Sequence, residues 1–363
     1  MIAQFVIVFY FIVCVGIILF NCFTEIISRY RSCVLRKREQ RYFEEYRQLF
    51  LENITENKKQ EIRLIRELRS TSRLLTFNEA LHKVENSRPE QFQQGIASVS
   101  RLMEELIPVY QRKSDMEKAC LAYVFAIFRM PKFQTKEIVF PFLFNLLKNE
   151  SLYCRENALR ALYSSEDVNV VMQALEFLNA NMQLLPHEKI FVDGLLSFNK
   201  KEELIALLLK KLREFHPKLQ VNLLNYIRYA SPNWKDEMLS LLETNKDPEI
   251  QIACVRYFGR YRDERSVPFL LYHAEEEKEG FWELQNACIS TLAAYPGPQT
   301  LEILKKEISS KNWHVRHNAA KSLAALNTEM DALADILQGN DRYAKEMLKY
   351  QLDVVKAQRR AEV

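Results

Sequence analysis

His314 and His317 stand three residues apart, a spacing that puts two imidazoles on one face of a helix, where they could share a metal ion. A protein site needs more ligands than two, and no carboxylate or thiol accompanies the pair, so both read as solvent-facing or inter-repeat side chains. The chain holds no HExxH, GxSxG, Walker loop or GxGxxG, and its 7 scattered glycines are too few for a phosphate cradle. Glu275, Glu276, Glu277 and Glu279 form an acidic run at a helix end, read as a solvated face. The cysteines are Cys14, Cys22, Cys33, Cys120, Cys154, Cys254 and Cys288, odd in number and without a CxxC pair, so free thiols in a reducing compartment are expected. Cys254 and Cys288 fall in small core slots and are expected to be inert. The expectation is a chain with no catalytic residues, cofactor or metal, and no small-molecule substrate.

What the chain does carry is repetition. HPKLQVNLLNYI from His216 and DPEIQIACVRYF from Asp247 coincide at Pro217 and Pro248, Gln220 and Gln251, and Tyr226 and Tyr257. With Leu219 and Ile250 as a common zero, equivalent starts lie at Cys154, Leu284 and Val315, with a degenerate one at Glu188, in steps of 31 or 34 residues. Four places on stand Ala158, Val192, Leu223, Cys254, Cys288 and Ala319; eight places on stand Leu162, Leu196, Ile227, Phe258, Leu292 and Leu323. Apolar residues at i, i+4 and i+8 make one helix face. The smaller column lets a neighbouring helix approach, and the larger one fills the gap between layers.

A second apolar helix precedes each of these, as in KEELIALLLKKL and KDEMLSLL, so a unit is a helix, a turn and a helix. One such unit cannot bury both helices, whereas stacked neighbours share a continuous core. Pro186, Pro217 and Pro248 mark the turn into the second helix, where a missing amide costs little, and Trp282 and Trp313 take that place in the last two units. Upstream, SDMEKACLAYVFAIF opens with a Ser114 to Glu117 capping box and reads as a seventh, less regular unit around Met116. With 48% hydrophobic and 27% charged residues and 11 Pro, the composition needs no strands.

Residues 312–323, NWHVRHNAAKSL, and 154–162, CRENALRAL, resemble the second helix of HEAT repeats, of the short kind also called phycobilisome-lyase HEAT-like, and the likeness covers residues 110 to 330 or so. The resemblance implies an all-α fold, a right-handed α-solenoid of HEAT-like helical hairpins, here preceded by a transmembrane helix and a helical stalk. It implies an interaction scaffold, since only a minority of the family handles bilin chromophores. In the family an Arg just after zero joins a polar ladder between units; Arg155 and Arg316 match it, Lys189 partly, while Gln220, Gln251 and Gln285 depart.

Six places beyond zero stand Arg160, Gly194, Asn225, Arg256, Ser290 and Lys321, with no acidic member. Together with Arg155, Arg228, Arg260, Arg316 and His317, this stripe makes a mildly basic groove the candidate partner-binding surface, with Trp282 and Trp313 as candidate aromatic anchors or as turn packing. A net charge of +4 is too small to argue for nucleic acid.

Residues 2 to 23 carry no charge, and at 1.5 Å per residue a helix of that length spans roughly 33 Å, enough to cross a bilayer. No basic residue precedes the run and bulky residues follow it, unlike a cleaved signal peptide. Arg29, Arg31, Arg36, Lys37, Arg38 and Arg41 follow, and by the positive-inside tendency they place the C-terminal side in the cytoplasm and the N-terminus outside. They serve as topology determinants or as contacts to anionic lipid headgroups. Residues 38 to 85, without Gly or Pro, suit a helical spacer broken near Ser70 to Ser72. In that topology the sequon Asn53-Ile54-Thr55 would never meet the glycosylating machinery.

The domains expected are a transmembrane helix (1–24), a basic juxtamembrane segment and stalk (25–85), a HEAT-like solenoid (86–330) and C-terminal capping helices (331–363). The expected function is a non-catalytic, single-pass scaffold at the cell membrane whose cytosolic solenoid docks another protein, one membrane-associated or membrane-embedded. A membrane-bound synthase such as an exopolysaccharide glycosyltransferase is a candidate client. The rival readings are a bilin-lyase-like enzyme and an adaptor for anionic lipid or nucleic acid.

Overall fold

The computed structural model describes every residue except Met1, 52–57, 131–135, 276–281, 327–329 and 362–363, so the sequon and Glu276, Glu277 and Glu279 lie outside the described residues. Among the described residues the chain is all-α, with twenty α-helices and no strand, and it divides into two compact units, Met1–Ala174 and Leu175–Val363.

The first unit opens with α1 (Ile2–Leu51) and continues through α2 (Lys58–Leu68), α3 (Thr71–Ser87), α4 (Pro89–Glu104), α5 (Ile107–Tyr110), α6 (Asp115–Ile127), α7 (Lys136–Leu147) and α8 (Leu152–Ser164), followed by α9 (Val168–Ala180). The stretch Phe11–Glu45 of α1 holds a window of mean hydropathy 2.2 that no protein covers, long and apolar enough by length and composition to cross a membrane. The second half of α1 packs on α3 and α4.

The segment expected as a spacer breaks at Ser70 and buries its own core: Leu64, Ile65 and Leu68 of α2 and Leu74, Phe77 and Leu81 of α3 are all sequestered. Each such side chain contributes roughly 1.5–3 kcal/mol. Tyr42 of α1 is fully buried, edge-on to Phe77 at 5.6 Å, and its hydroxyl donates to Glu67 Oε2 at 3.0 Å. Burial, with that carboxylate, pushes the Tyr42 phenol up to about 12. Burial alone would raise the Glu67 carboxyl, but Tyr42 and Arg41 outweigh it and hold Glu67 below the usual range.

A polar tie joins α3 to α6, where Glu117 accepts from Thr71 Oγ1 at 2.7 Å, Lys113 Nζ at 2.6 Å and Ser114 Oγ at 2.9 Å. The expected seventh repeat is only half present. Met116 is exposed and Cys120 partly so, while Val124 is buried, because α6 turns its first residues outward around this capping box.

In the second unit, α10 (Glu188–Leu196) is followed by hairpins α11 (Lys201–Lys211) with α12 (Pro217–Ala230), α13 (Lys235–Thr244) with α14 (Pro248–Arg260), α15 (Val267–Glu275) with α16 (Trp282–Leu292), α17 (Pro298–Glu307) with α18 (Trp313–Ala325), and α19 (Ala334–Gln338) with α20 (Arg342–Ala361). Successive second helices α10, α12, α14, α16, α18 and α20 pack side by side, as stacked hairpins of an α-solenoid do. The small and large columns lie in the core: Leu223, Cys254, Cys288 and Ala319, then Ile227, Phe258, Leu292 and Leu323, are inaccessible. Hydrogen bonds also cross between neighbouring hairpins of this unit, from Ser322 Oγ to the Ile289 carbonyl at 2.9 Å and from Tyr295 Oη to the Phe258 carbonyl at 2.9 Å.

Pro217 and Pro248 occupy the first helical position, with His216 and Asp247 as N-caps; Pro186 lies one residue outside its cap, His187, because α10 starts later. With nine residues, α10 is also shorter than the second helices that follow, and Leu196, its member of the large column, stays partly exposed. Of the cysteines, Cys154, Cys254 and Cys288 are buried, Cys120 is partly buried, and Cys14, Cys22 and Cys33 lie exposed on α1.

Candidate partner-binding surface

The residue just after zero works mainly within its own repeat, with one polar contact to the next: Gln285 also donates to Glu307 Oε2 of the following hairpin at 3.1 Å. Arg155 donates to the carbonyls of Asn149 at 2.9 Å and Glu150 at 2.7 Å, Gln220 to Phe215 at 2.6 Å, Gln251 to Asn245 at 2.9 Å, Gln285 to Ala274 at 3.1 Å and Arg316 to Ser310 at 3.0 Å. In these five repeats the side chain closes carbonyls that end its own first helix and turn. Arg and Gln both carry an N–H donor on a stem long enough to reach back, so the Gln substitutions preserve the role. Arg155 and Arg316 are thereby committed within the chain. Arg316 also lies over the Tyr343 ring at 5.7 Å.

The six-place column is not uniform either. In the first unit Arg160 is exposed and paired with Glu156 at 2.8 Å. In the second unit Asn225 is buried and donates to Glu188 Oε1 at 2.8 Å, so an acidic side chain reaches the stripe from the zero position of the neighbouring helix. Ser290 turns back onto the Asn286 carbonyl at 2.8 Å. Arg256 and Lys321 are exposed and form no ion pair among the described residues.

Trp282 and Trp313 open their helices, and the structure joins them to the two histidines. Trp282 stacks on His314 at 4.9 Å, Trp313 stacks on His317 at 5.0 Å, and Trp313 meets His314 edge-on at 5.2 Å. Each imidazole has one face against an indole, and no group of three or more His, Cys, Asp or Glu that could hold a metal ion occurs among the described residues. Trp282 is partly covered by this stacking, while Trp313 remains 60% exposed.

A cluster of arginines and tyrosines lies on α12 and α14. Arg228 lies over the Tyr229 ring at 4.5 Å and donates to its hydroxyl at 2.8 Å; Arg260 reaches the same ring at 5.4 Å and donates to Tyr261 Oη at 3.3 Å. Neither arginine, nor Arg256 between them, has a carboxylate partner among the described residues, whereas nearby Arg265 is paired with Asp236 and Asp263. Burial pulls the Arg228 guanidinium below its ordinary value, and Arg256 adds to this against the opposing effects of Tyr229 and the nearby Glu188 carboxylate. Its Nε is buried without an acceptor. The tyrosines are what the six-place column does not include. Their signal is a repeated Arg-Tyr pair, Arg228-Tyr229 and Arg260-Tyr261, at the ends of two successive second helices.

The basic residues after the apolar run are similarly sorted. Arg41 pairs with Glu45 of α1 at 3.4 Å and with Glu67 of α2. Burial would lower its guanidinium, but Glu45 and Glu67 outweigh that and raise it. Seventeen residues of helix separate it from residue 24, about 25 Å, so Arg41 is a structural ion-pair residue of the first unit. Arg29 pairs with Glu25 at 2.8 Å, and Arg31, Arg36, Lys37 and Arg38 form no ion pair among the described residues.

Residues 275–352, from the end of α15 into α20, match HEAT repeats, so the last hairpins of the second unit resemble those of helical-repeat proteins. Among solved structures the chain is similar to human deoxyhypusine hydroxylase in complex with glycerol, at 15% identity over 75% of this chain and 97% of that one, with a TM-score of 0.29. No curated protein matches.

Proposed function

We propose that this chain is a membrane-anchored, non-catalytic scaffold whose stacked hairpins dock another protein. The observation that carries the reading is the surface of the second helices, where exposed Arg256, Arg260 and Lys321 form no ion pair among the described residues and lie with the half-exposed Tyr229, while Arg155, Arg265 and Arg316 are tied to carbonyls or carboxylates. Helical-repeat surfaces bind large partners through many modest contacts, and unpaired arginines with aromatics are the side chains that such interfaces favour. The anchor rests on the length and apolarity of α1 and on the unpaired Arg31, Arg36, Lys37 and Arg38 that follow its apolar part, which favour a cytoplasmic C-terminal side. The non-catalytic reading is supported by the cysteines: Cys254 is fully buried and its thiol is pushed up to about 12 by burial, so it is a poor nucleophile. The partner is a protein of the same membrane, and a synthase with a cytosolic domain has the required disposition.

The test is crosslinking in intact membranes, gentle solubilisation and affinity purification of the full chain, alongside the variant Arg160→Glu/Arg256→Glu/Lys321→Glu. A partner recovered by the parent and lost by the variant at unchanged melting temperature supports docking through the second helices. Equal recovery by both removes that surface. Protease accessibility of the second unit from outside sealed cells would reverse the orientation.

A further inference from the structure

A trough of about 520 Å³ runs along α10, from its N-cap His187 to Leu196, beside the end of α12. Its apolar walls are Val192, the half-covered Leu196 and the ring of Tyr229; Glu188, Lys189 and Asp193 lie at its rim. The same Tyr229 ring carries the guanidiniums of Arg228 and Arg260, so the trough and the unpaired cations share one side chain.

We infer that this trough and the adjoining Arg228, Arg256 and Arg260 form a binding site for a short acidic peptide segment that carries an apolar residue beside Asp or Glu. The apolar side chain fills the space between Leu196 and Tyr229, and the carboxylate accepts from guanidiniums already oriented by the two tyrosines. The site rests on the docking reading above and names its occupant.

Two features select this ligand. Tyr229 has two guanidiniums over its ring, so it is not free as a stacking platform for a nucleobase, and three cations on two neighbouring helices are too short a track for a phosphate backbone. Glu188 and Asp193 on the α10 side disfavour a second carboxylate there, so the ligand's charge is confined to the α12 and α14 side while its apolar residue faces α10.

The test uses the full chain in nanodiscs of zwitterionic lipid and the fluorescence anisotropy of a labelled octapeptide built from two Gly-Glu-Glu-Leu blocks. Arg256→Gln/Arg260→Gln, both exposed, is expected to weaken binding about tenfold or more without lowering the melting temperature. Tyr229→Ala is expected to do the same, and so are peptides with Gln for Glu or Gly for Leu. Equal affinity for the parent and Arg256→Gln/Arg260→Gln, or for the Glu and Gln peptides, overturns the site. Binding only of a phosphoserine version overturns the choice of a carboxylate ligand. A photo-crosslinker at Lys321 reads the docking reading separately: crosslinks there with no peptide binding sink this site and leave docking standing. The absence of protein crosslinks from every second helix sinks docking.

Discussion

The α1–α4 packing of the first unit and the stacked hairpins of the second are both helical, yet they are held together by different means. In the hairpins the seam is apolar and periodic: Leu223, Cys254, Cys288 and Ala319 repeat at one position and Ile227, Phe258, Leu292 and Leu323 at another, all inaccessible. The first unit also buries an apolar core, with Leu64, Leu68, Leu74, Phe77 and Leu81 sequestered, but adds single polar events to it: Tyr42 on Glu67, Lys83 on Glu39 at 2.8 Å, Tyr110 Oη on the Leu68 carbonyl at 3.0 Å and the Glu117 tie. A periodic seam is redundant, because each unit repeats the contact of the last. A seam of unique polar contacts fixes one geometry, and each contact carries more of the specificity.

That contrast can be broken by mutation. The largest effect is expected for Phe258→Ala, which empties a large core slot between α14 and its neighbours and should cost about 3–5 kcal/mol in denaturant unfolding. A loss under about 1 kcal/mol would mean the seam is loosely packed. Tyr42→Phe keeps the ring against Phe77 and removes only the hydroxyl, so the loss should be about 1.5 kcal/mol, confined to protection of α1–α3 amides in hydrogen exchange. Gln251→Ala should cost about 1 kcal/mol by freeing the Asn245 carbonyl, and Gln251→Arg should recover most of it. Failure of the Arg variant would separate the two side chains that the repeats otherwise use interchangeably.

A smaller effect should appear only in acid. Hydrogen bonds from Lys113, Thr71 and Ser114 lower the Glu117 carboxyl from 4.5 to about 2. A carboxyl depressed on folding contributes stability above its unfolded value, and the contribution is lost as pH falls from about 4.5 towards 2. The melting temperature of the parent should therefore drop across that window more steeply than that of Glu117→Gln. Parallel curves would show that the tie carries no net stabilisation. The smallest change is expected for Arg256→Gln/Arg260→Gln, which should shift stability by under about 0.5 kcal/mol because neither side chain has a carboxylate partner to lose.

These differences track what was legible in the residues. The small and large columns, the hairpin order and the break near Ser70 follow from spacing alone, because a helix face is a property of i, i+4 and i+8 and needs no knowledge of neighbours, whereas α1 runs unbroken past the expected end of the apolar span to Leu51. The degenerate zero at Glu188 already marks the unit where α10 departs from the pattern. The candidate surface was legible only in part. Arg256 and Lys321 lie exposed as their column implies, but Asn225 of that column is buried against Glu188, and Arg155 and Arg316 are spent on turn carbonyls. Arg41, grouped with five other cations by proximity in the chain, belongs instead with Glu67, twenty-six residues away.

Period, helix faces and the apolar length of α1 were thus set by the sequence itself, since burial of regularly spaced hydrophobic side chains is non-directional and tolerates inexact neighbours. Which arginines remain free was decided only in three dimensions. A guanidinium is neutralised by whichever carboxylate or carbonyl lies within hydrogen-bond reach, and those partners come from turns and helices whose positions no local spacing encodes. That is why Arg228 and Arg260 emerge beside Tyr229 and an abbreviated α10, while Arg41, Arg155 and Arg316 vanish into the scaffold that presents them.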